Sequence, residues 1–250
     1  MNVDNSLVSV ITPVFNSEMY LLETFQSLKS QTYSLWEWII VDDCSQDASW
    51  DLMLHIASLD SRVRILRNDV NKGAGFSRNK AIEASNGRYI AFLDADDLWM
   101  AEKLEAQVNF MSENNFAFTY TQYQKFDSEG IKGKVIPPDS VSYNQLLYSN
   151  VIGCLTAMYD VELIGKRYMP LIRKRQDMGL WLEILKDIPH AYCLNRVLAK
   201  YRKDSGMTAN KLKVLSYQWA FYRETVGLSF FRSCFVFSVY AVKGFLKHKG

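Results

Sequence analysis

The first half of the chain alternates between short apolar runs and segments in which apolar residues recur every three or four positions. The apolar runs predict four buried strands, at residues 7–15, 36–41, 63–66 and 88–93. The periodic segments predict helices that begin near residues 17, 48, 73 and 104. This alternation predicts an α/β fold with a Rossmann-like, mostly parallel central sheet flanked by helices on both faces.

The first predicted helix shows how each helix would pack. Leu21, Phe25 and Leu28 are spaced so that they share one helix face, which we expect to be buried. Ser17 precedes them, and serine is a favoured residue for capping the start of a helix. We therefore expect Ser17 to cap this helix.

The pattern changes after residue 115. Residues 116–124 are aromatic and alternating, which predicts a strand before a turn at 128–130, and residues 151–160 are a further strand candidate. Residues 176–186 predict a helix with one apolar side, formed by Leu180, Ile184 and Leu185. No flexible linker separates the halves, so we expect one domain at 1–205, with halves at about 1–115 and 116–205, and a helical C-terminal extension at 206–250.

Composition narrows the class of protein. The chain of 250 residues is 48% hydrophobic and 22% charged, as in globular proteins, and its net charge of +2 does not indicate nucleic-acid binding. Its four cysteines are scattered without a CxxC pair, which favours reduced thiols in a cytoplasmic protein. We expect no signal peptide and, since no run of about 18 apolar residues occurs, no membrane-spanning helix.

Carboxylates gather where two of the predicted strands end. Asp42 and Asp43 follow the second strand, and Asp94, Asp96 and Asp97 follow the fourth. Ligands of open parallel sheets bind beyond the carboxyl ends of the strands, so both clusters should lie at one edge. A divalent cation commonly takes one or two carboxylates together with substrate phosphate oxygens. The pattern therefore indicates phosphate chemistry with a bound cation, and the absence of a GxxxxGK[ST] motif argues against an ATPase.

A glycine-containing segment, "NKGAGFSRN" at residues 71–79, follows the third strand. It is not a GxGxxG motif, and a dinucleotide-binding motif would follow the first strand. It offers backbone amides at a helix start, together with Lys72 and Arg78, which suits an anion.

Four ordered motifs carry a resemblance to a known family. "VSVITPVFN", "VDDCSQD", "NKGAGFSRNKAIEASNGRYIAFLDADD" and "RQDMGLWLEILK" resemble those of a family 2 glycosyltransferase with a GT-A fold, over residues 7–205. The stretch from "RQD" through "LAKYR" to "YQWAFYRE" is similar to bacterial enzymes that build teichuronic acid, capsule and other surface polysaccharides.

The resemblance implies a role for each matching residue. Nucleotide-sugar contacts are implied for Pro13, Phe15, Asp43, Asn71, Gly73, Arg78 and Asp94. Among these, Pro13 and Phe15 would line the nucleobase site, and Asp43 would bind uracil. Asp96 would hold Mn²⁺ or Mg²⁺, with Asp94 as the second member of the DxD motif, nearer the sugar or ribose. Cys44 stands where members often carry glycine, which predicts a differently shaped loop.

The resemblance also implies a general base, Asp177, in the motif that usually reads Glu-Asp and here begins with Gln176. A positioned base contributes typically ~10²–10⁴-fold to a proton transfer. From the residues alone, the favoured interpretation of Asp177 is the N-cap of the helix that follows, and it is the order of the motifs that favours a base. Arg173, Lys174 and Arg175 precede it, either to steer a phosphate-bearing substrate or as a solvated loop. Asp97 has no implied role, and we interpret it as a cap for the next helix.

The end of the chain predicts an amphipathic helix. Aromatic and aliphatic residues cover most of its surface, namely Phe230, Phe231, Phe235, Phe237, Ala241, Val242, Phe245 and Leu246. Arg232, Lys243 and Lys247 occupy the remaining side. Such a helix lies in a membrane interface, or else packs on its own domain or on the second subunit of a homodimer.

The resemblance implies an inverting, metal-dependent hexosyl- or N-acetylhexosaminyltransferase. It would move a sugar from a UDP-sugar to a saccharide acceptor, lipid-linked in the main interpretation, at the inner face of the cytoplasmic membrane. One alternative is a nucleotidyltransferase, which would carry a glycine-rich basic loop where this chain has "TPVFNSEMY". Another is an inactive nucleotide-sugar-binding module, which the intact Asp43, Asp94, Asp96 and Asp177 disfavour.

Overall fold

The computed structural model describes residues 5–203 and 211–247, and side chains within 5–203 and 215–242. The strands are β1 Val8–Val14, β2 Trp36–Asp42, β3 Val63–Arg67, β4 Tyr89–Phe92, β5 Leu98–Trp99, β6 Phe118–Asp127, β7 Gly130–Val135, β8 Ser140–Val141, β9 Met158–Asp160 and β10 Ala191–Arg202. The helices are α1 Leu21–Lys29, α2 Ser49–Leu59, α3 Ala74–Ala84, α4 Lys103–Asn114, α5 Tyr143–Tyr148, α6 Val161–Ile164, α7 Gln176–Asp187, α8 Lys211–Ala220 and α9 Phe230–Lys247.

The strands form one ten-stranded sheet in the order β3-β2-β1-β4-β9-β6-β10-β5, with β7 on β6 and β8 on β10. The four strands of the first half pair in parallel, as expected. β9 pairs antiparallel with both β4 and β6, and β10 pairs parallel with β6, so the complete sheet is mixed. Because β9 runs opposite to both β4 and β6, those two strands run in the same direction. The strands that end at one edge are therefore β1, β2, β4, β6 and β10.

Helices cover both faces of the sheet, as the alternation predicts. On one face, α1, α2 and α4 bury residues such as Phe25, Met53 and Val108 against the apolar side chains of β1 and β2. On the other face, α3, α5 and α7 contribute residues such as Ile82 and Trp181 to a second apolar cluster. The two clusters leave the edge of the sheet at the strand ends open for a site.

The prediction that Ser17 caps the first helix is wrong. The helix begins at Leu21, and its N-cap is Tyr20, which makes no side-chain capping bond. The Ser17 hydroxyl donates to the carbonyl oxygen of Phe15, 3.2 Å away, and its own carbonyl accepts the amide of Leu21. Ser17 thus belongs to a turn that precedes the helix, since its hydroxyl bonds to Phe15, an earlier residue in the chain.

The last helix, α9, is packed on its own domain along one face and exposed along another. Val236 is buried in the cluster that contains α5 and α7, and Phe237 packs against it. Phe231 and Phe235 point away, with 85% and 61% of their surface exposed. The predictions for Lys243, Phe245, Leu246 and Lys247 concern side chains outside the described residues. Over the described parts of the chain, no helix has both the length and the apolar character to cross a bilayer.

Candidate active site

Two adjoining cavities open at the edge where the strands end. The Asp43 cavity, of about 630 Å³, is lined by Phe15, Asp43, Asn71 and Gly73 among others. The Asp177 cavity, of about 710 Å³, is lined by Arg78, Asp94, Asp97, Asn150 and Asp177 among others. Arg173 and Gln176 line both cavities, so the two cavities adjoin at these residues.

The wall of the Asp43 cavity is built by hydrogen bonds to the Asp43 carboxylate. Oδ1 accepts the side-chain amide of Asn68 at 2.9 Å and the backbone amide of Lys72 at 2.8 Å. Oδ2 accepts the backbone amide of Gly73 at 2.7 Å. Gly73 has φ of 86°, in the left-handed region that favours glycine. The buried Asp43 carboxylate therefore fixes the loop that leads into α3, and its contact with uracil stays a prediction.

Other predicted nucleotide residues fall into two groups. Phe15, 47% exposed, and Asn71 present accessible side chains at the Asp43 cavity. Pro13 is half-buried within β1, opposite Val41, and is not among the residues that line this cavity. Cys44 has φ of 63°, a conformation in which glycine is least strained. The backbone at Cys44 thus has the left-handed conformation that suits glycine, although cysteine occupies the position.

Arg78 lines the Asp177 cavity, where it forms an ion pair with Asp94. Its guanidinium donates to Asp94 Oδ1 and, at 3.5 Å, to Gln176 Oε1. Only 8% of Arg78 is exposed. Burial lowers the pKa of Arg78, but the charge and hydrogen bond of Asp94 together with smaller contributions such as the Asp177 charge outweigh it, so the pKa is raised and the arginine stays charged. The pair connects α3 to the turn after β4, and so holds Asp94 in the wall of the Asp177 cavity.

Asp97 does not cap the next helix, contrary to the sequence interpretation. The N-cap of α4 is Glu102. Asp97 is 1% exposed and follows Asp94 and Asp96 in the turn after β4, which we call the acidic turn. Its Oδ1 accepts the backbone amide of Arg202 at 2.9 Å, whereas its buried Oδ2 has no partner. Burial, and then the charges of Asp94 and Asp96, raise the pKa of Asp97. Asp97 therefore connects the acidic turn to the end of β10.

Arg202 is a residue that sequence reasoning missed. Its Nε donates to the carbonyl oxygen of Asp96 at 2.9 Å, and its guanidinium also bonds to the carboxylate of Glu23. The guanidinium carbon lies 4.6 Å from the ring centre of Tyr20 and 4.4 Å from that of Phe126. Arg202 is thus clamped against the acidic turn, and only its place at the end of "LAKYR" could have suggested this.

The acidic turn fits a cation that is completed by a substrate. Within the described residues, no three or more His, Cys, Asp or Glu side chains are arranged to hold a metal ion by themselves. Mg²⁺ and Mn²⁺ in phosphate chemistry are commonly held by one or two carboxylates, with phosphate oxygens and water as the other ligands. Asp94 and the unpartnered oxygen of Asp97 offer such a partial set in the Asp177 cavity. Asp96 is half-buried in the same turn and is not among the residues that line either cavity, so its contact with a cation stays a prediction.

Asp177 is the second residue of α7 and is not its N-cap. The N-cap is Arg175, which has φ of 67°. Asp177 Oδ2 accepts the side-chain amide of Asn150 at 2.9 Å. The negative charge is favourable in the first turn of a helix. With its cap role excluded, the carboxylate is oriented by Asn150 within the cavity that also contains Asp94.

Solved structures share this architecture. Staphylococcus aureus TarS, residues 1–349, in complex with UDP-GlcNAc superposes with a TM-score of 0.72 at 20% identity, covering 94% of this chain and 71% of that one. The mannosyltransferase PcManGT of Pyrobaculum calidifontis, in complex with GDP-Man and Mn²⁺, gives a TM-score of 0.63 at 16% identity over 86% of this chain and 63% of that one. The likeness shows a GT-A fold and confirms the expected fold class.

Sequence relatives are closer. TuaG of Bacillus subtilis, assigned as a teichuronic acid biosynthesis glycosyltransferase, is 41% identical over 94% of both chains. Escherichia coli WfgD, a UDP-Glc:α-D-GlcNAc-diphosphoundecaprenol β-1,3-glucosyltransferase, is 40% identical over 87% of this chain and 85% of its own. The sequence pattern of glycosyl transferase family 2 matches residues 9–160. The chain belongs to glycosyltransferase family 2 and has the GT-A fold.

Proposed function

We propose that this protein transfers a hexosyl or N-acetylhexosaminyl unit from a UDP-sugar to a lipid-linked saccharide, with inversion, in bacterial surface polysaccharide biosynthesis. The observation that carries the proposal is the cavity lined by Asp94, Asp97 and Asp177, which adjoins the Asp43 cavity at Arg173 and Gln176. TuaG and WfgD support the acceptor class, and the UDP-GlcNAc bound to TarS supports the donor class.

The Asp43 cavity is proposed to hold the nucleotide. Phe15 presents an exposed ring against which a base can stack. A stacked aromatic pair stabilises binding by about 0.5–1.5 kcal/mol beyond the contribution of the apolar area that it buries. The loop fixed by Asp43 places the start of α3 beside this cavity. A diphosphate would then extend towards Asp94 across the position of Gln176, which lines both cavities.

A divalent cation is proposed at the acidic turn, with Asp96 as its principal ligand and Asp94 as the second. Bound there, Mn²⁺ or Mg²⁺ would supply positive charge to the departing diphosphate. The Mn²⁺ in PcManGT supports the choice of ion. Arg78 and Arg202 hold the turn on two sides, Arg78 through the Asp94 carboxylate and Arg202 through the Asp96 carbonyl oxygen.

Asp177 is proposed to be the general base. The Asn150 amide occupies one of its oxygens and leaves the other for the acceptor hydroxyl. Because the base and the acidic turn line the same cavity, an acceptor hydroxyl beside Asp177 can attack the anomeric carbon from the side opposite the diphosphate. Such an in-line attack inverts the anomeric centre.

Peripheral membrane attachment is proposed for the exposed face of α9. Four large apolar residues on this helix are exposed, Phe230 57%, Phe231 85%, Phe235 61% and Val242 58%, with the cation Arg232 among them. An aromatic, cationic helix face binds anionic lipid surfaces. Vesicle flotation tests this placement: Phe231→Ser/Phe235→Ser should lose the lipid-bound fraction, whereas a change in oligomeric state alone would favour a homodimer contact.

The enzymatic proposal is tested by incubating the purified protein with a panel of UDP-sugars and short lipid-linked saccharides, with product detection by mass spectrometry. Transfer should require Mn²⁺ or Mg²⁺ and give a product of opposite anomeric configuration to the donor. Calorimetric titration of UDP with and without Mn²⁺ separates an active enzyme and an inactive binding module, which both bind UDP, from an unrelated protein. The transfer assay then separates the active enzyme from the inactive module. Absence of both UDP binding and transfer would refute the proposal.

A further inference from the structure

The segment before α7 carries three consecutive cations, Arg173, Lys174 and Arg175, which we call the basic segment. Arg173 and Lys174 are exposed, and neither forms an ion pair with another described residue. Arg175 donates to the hydroxyl of Tyr240 on α9 and lies 5.6 Å from the centre of its ring. Two neighbouring cations are therefore presented towards solvent without a carboxylate partner among the described residues, although like charges so close repel each other.

All three residues of the basic segment line the Asp177 cavity, and only Arg173 also lines the Asp43 cavity. Lys174 and Arg175 thus face the Asp177 cavity and do not line the proposed nucleotide site. The lining of the Asp177 cavity contains groups of both charges. Asp94, Asp97 and Asp177 supply carboxyl groups, and the basic segment supplies cations. An anionic ligand group would be attracted to the basic segment and repelled by the carboxylates.

The spacing along the chain suits an acceptor sugar that carries a phosphate. Lys174 precedes Asp177 by three residues, so their Cα atoms are at most roughly 11 Å apart. A sugar whose hydroxyl contacts Asp177 would place its anomeric substituent within reach of the long, flexible Lys174 side chain. A lysine ammonium is a compact charge suited to a phosphate group.

The contact between Arg175 and Tyr240 connects the basic segment to the last helix. That helix carries the exposed Phe231 and Phe235. The fold therefore presents, in order, a carboxylate that can contact a sugar hydroxyl, a cationic segment, and a helix with an exposed apolar face. This order matches the parts of a molecule made of a sugar, a phosphate and an apolar chain.

We propose that the basic segment, with Lys174 as its principal contact, binds the diphosphate that joins the acceptor sugar to its lipid. This inference rests on the proposed function, and it concerns the diphosphate of the acceptor, not that of the UDP-sugar. It assigns Lys174 a role in acceptor specificity, because an acceptor without phosphate would gain nothing from the lysine.

The test compares two acceptors and three variants. The acceptors are an alkyl diphosphate of N-acetylglucosamine and the matching alkyl glycoside without phosphate. Lys174→Ala should lower kcat/KM for the diphosphate acceptor about tenfold, or about 1.4 kcal/mol, because it removes a charged hydrogen-bond donor to the phosphate. Lys174→Arg should retain most of the activity. Lys186→Ala, an exposed lysine of α7 that lines neither cavity, is the matched control and should be unaffected.

The donor and the second acceptor separate the explanations. We expect kcat/KM for the phosphate-free glycoside and KM for the UDP-sugar to stay within about twofold of wild type in Lys174→Ala. An equal loss with both acceptors would overturn the proposal and assign Lys174 a role in shaping the cavity. A raised donor KM would overturn it in favour of the UDP-sugar diphosphate.

A binding measurement keeps this inference distinct from the proposed function. An alkyl diphosphate without a sugar should bind wild type about tenfold more tightly than Lys174→Ala by calorimetry, with an affinity that falls steeply as salt is raised. Equal affinity for the two proteins would refute the role of the basic segment even where UDP-sugar transfer is intact. Absence of transfer with intact alkyl diphosphate binding would instead refute the proposed function alone.

Discussion

The Asp43 cavity and the Asp177 cavity adjoin, yet they are built in different ways. In the Asp43 wall, one buried carboxylate accepts two backbone amides from a loop about thirty positions further along the chain, and the side-chain amide of Asn68. The Asp177 cavity is assembled from pairs of side chains on different elements, Arg78 with Asp94 and Asn150 with Asp177. The acidic turn beside it is held by Arg202, more than a hundred positions away.

This difference predicts different responses to substitution. A carboxylate that holds backbone amides supports the shape of its loop, so replacing it should change folding and ligand binding together. A carboxylate held by a single side-chain amide on one oxygen contributes mainly its chemistry, so an isosteric replacement should change the reaction and leave the shape intact. The two cavities can therefore be distinguished by separating binding from turnover.

The largest effect is expected from Asp177→Asn. The amide keeps the shape of the side chain but cannot take a proton, so kcat for transfer should fall by about 10²–10⁴-fold. Affinity for UDP should be unchanged, since the Asp43 cavity is not altered. Stopped assays of product formation and calorimetric titration of UDP measure the two quantities. Asp187→Asn, at the other end of α7, is the control and should be fully active. Wild-type turnover by Asp177→Asn would exclude it as the base.

A loss of UDP binding is expected from Asp43→Asn. The new amide group would face one of the backbone donors that the carboxylate now accepts, at a cost of about 1–3 kcal/mol. We expect the Kd for UDP to rise by roughly tenfold or more, together with a lower melting temperature. Asp42→Asn would report on a neighbouring carboxylate that pairs with Arg67 instead. Unchanged UDP affinity would show that the loop does not depend on Asp43.

The same difference explains how much of the molecule the sequence predicts. The first four strands and α7 follow from local patterns, because an apolar run or a helical period is visible within a few residues of the chain. β10 was not predicted, because Asn195 and Arg196 interrupt its apolar pattern where its register with β6 shifts between Leu194 and Val197. An irregular strand leaves no period of two for sequence reasoning to detect.

The contacts of the Asp177 cavity could not be predicted residue by residue. The Arg202 guanidinium binds the backbone oxygen of Asp96, and a backbone acceptor has no signature in the sequence. The cap assigned to Asp177 failed because Arg175 adopts a left-handed conformation and takes the N-cap position. Arg78 and Gln176 are 98 positions apart in the chain, so their contact depends on the completed sheet.

A smaller effect on activity is expected from Arg202→Met. Methionine retains apolar packing between Tyr20 and Phe126 but removes the bonds to Asp96 and Glu23. We expect the Mn²⁺ concentration needed for half-maximal activity to rise by several-fold, up to about tenfold, as the turn loses one charge-assisted bond. UDP affinity without metal should not change. Activity titrated against Mn²⁺ measures this, and an unchanged requirement would show that Asp97 alone holds the turn.

The smallest effect on activity, but a distinct effect on stability, is expected from Lys103→Met. Lys103 is fully buried on α4, 4.0 Å from the ring centre of Trp99, whose indole donates to the carbonyl oxygen of Leu155 in the wall of the Asp177 cavity. Its ammonium donates to Gln107 at 2.8 Å. Burial lowers the pKa of Lys103 from 10.5 to about 7. The scaffold of this cavity therefore contains a charge that is costly at low pH.

The sign of the pH dependence follows from these two pKa values. Between about pH 7 and 10.5 the unfolded chain binds the Lys103 proton and the folded chain does not, so its contribution to the free energy of unfolding becomes more favourable as pH rises. Lys103→Met should be more stable than wild type near pH 6, and the difference should shrink by roughly 2–4 kcal/mol towards pH 10. Urea unfolding at several pH values measures this. Lys29→Met, an exposed lysine 5.7 Å from the ring of Phe25, should show no such slope. A parallel pH profile for wild type and Lys103→Met would show that the buried lysine keeps its ordinary pKa.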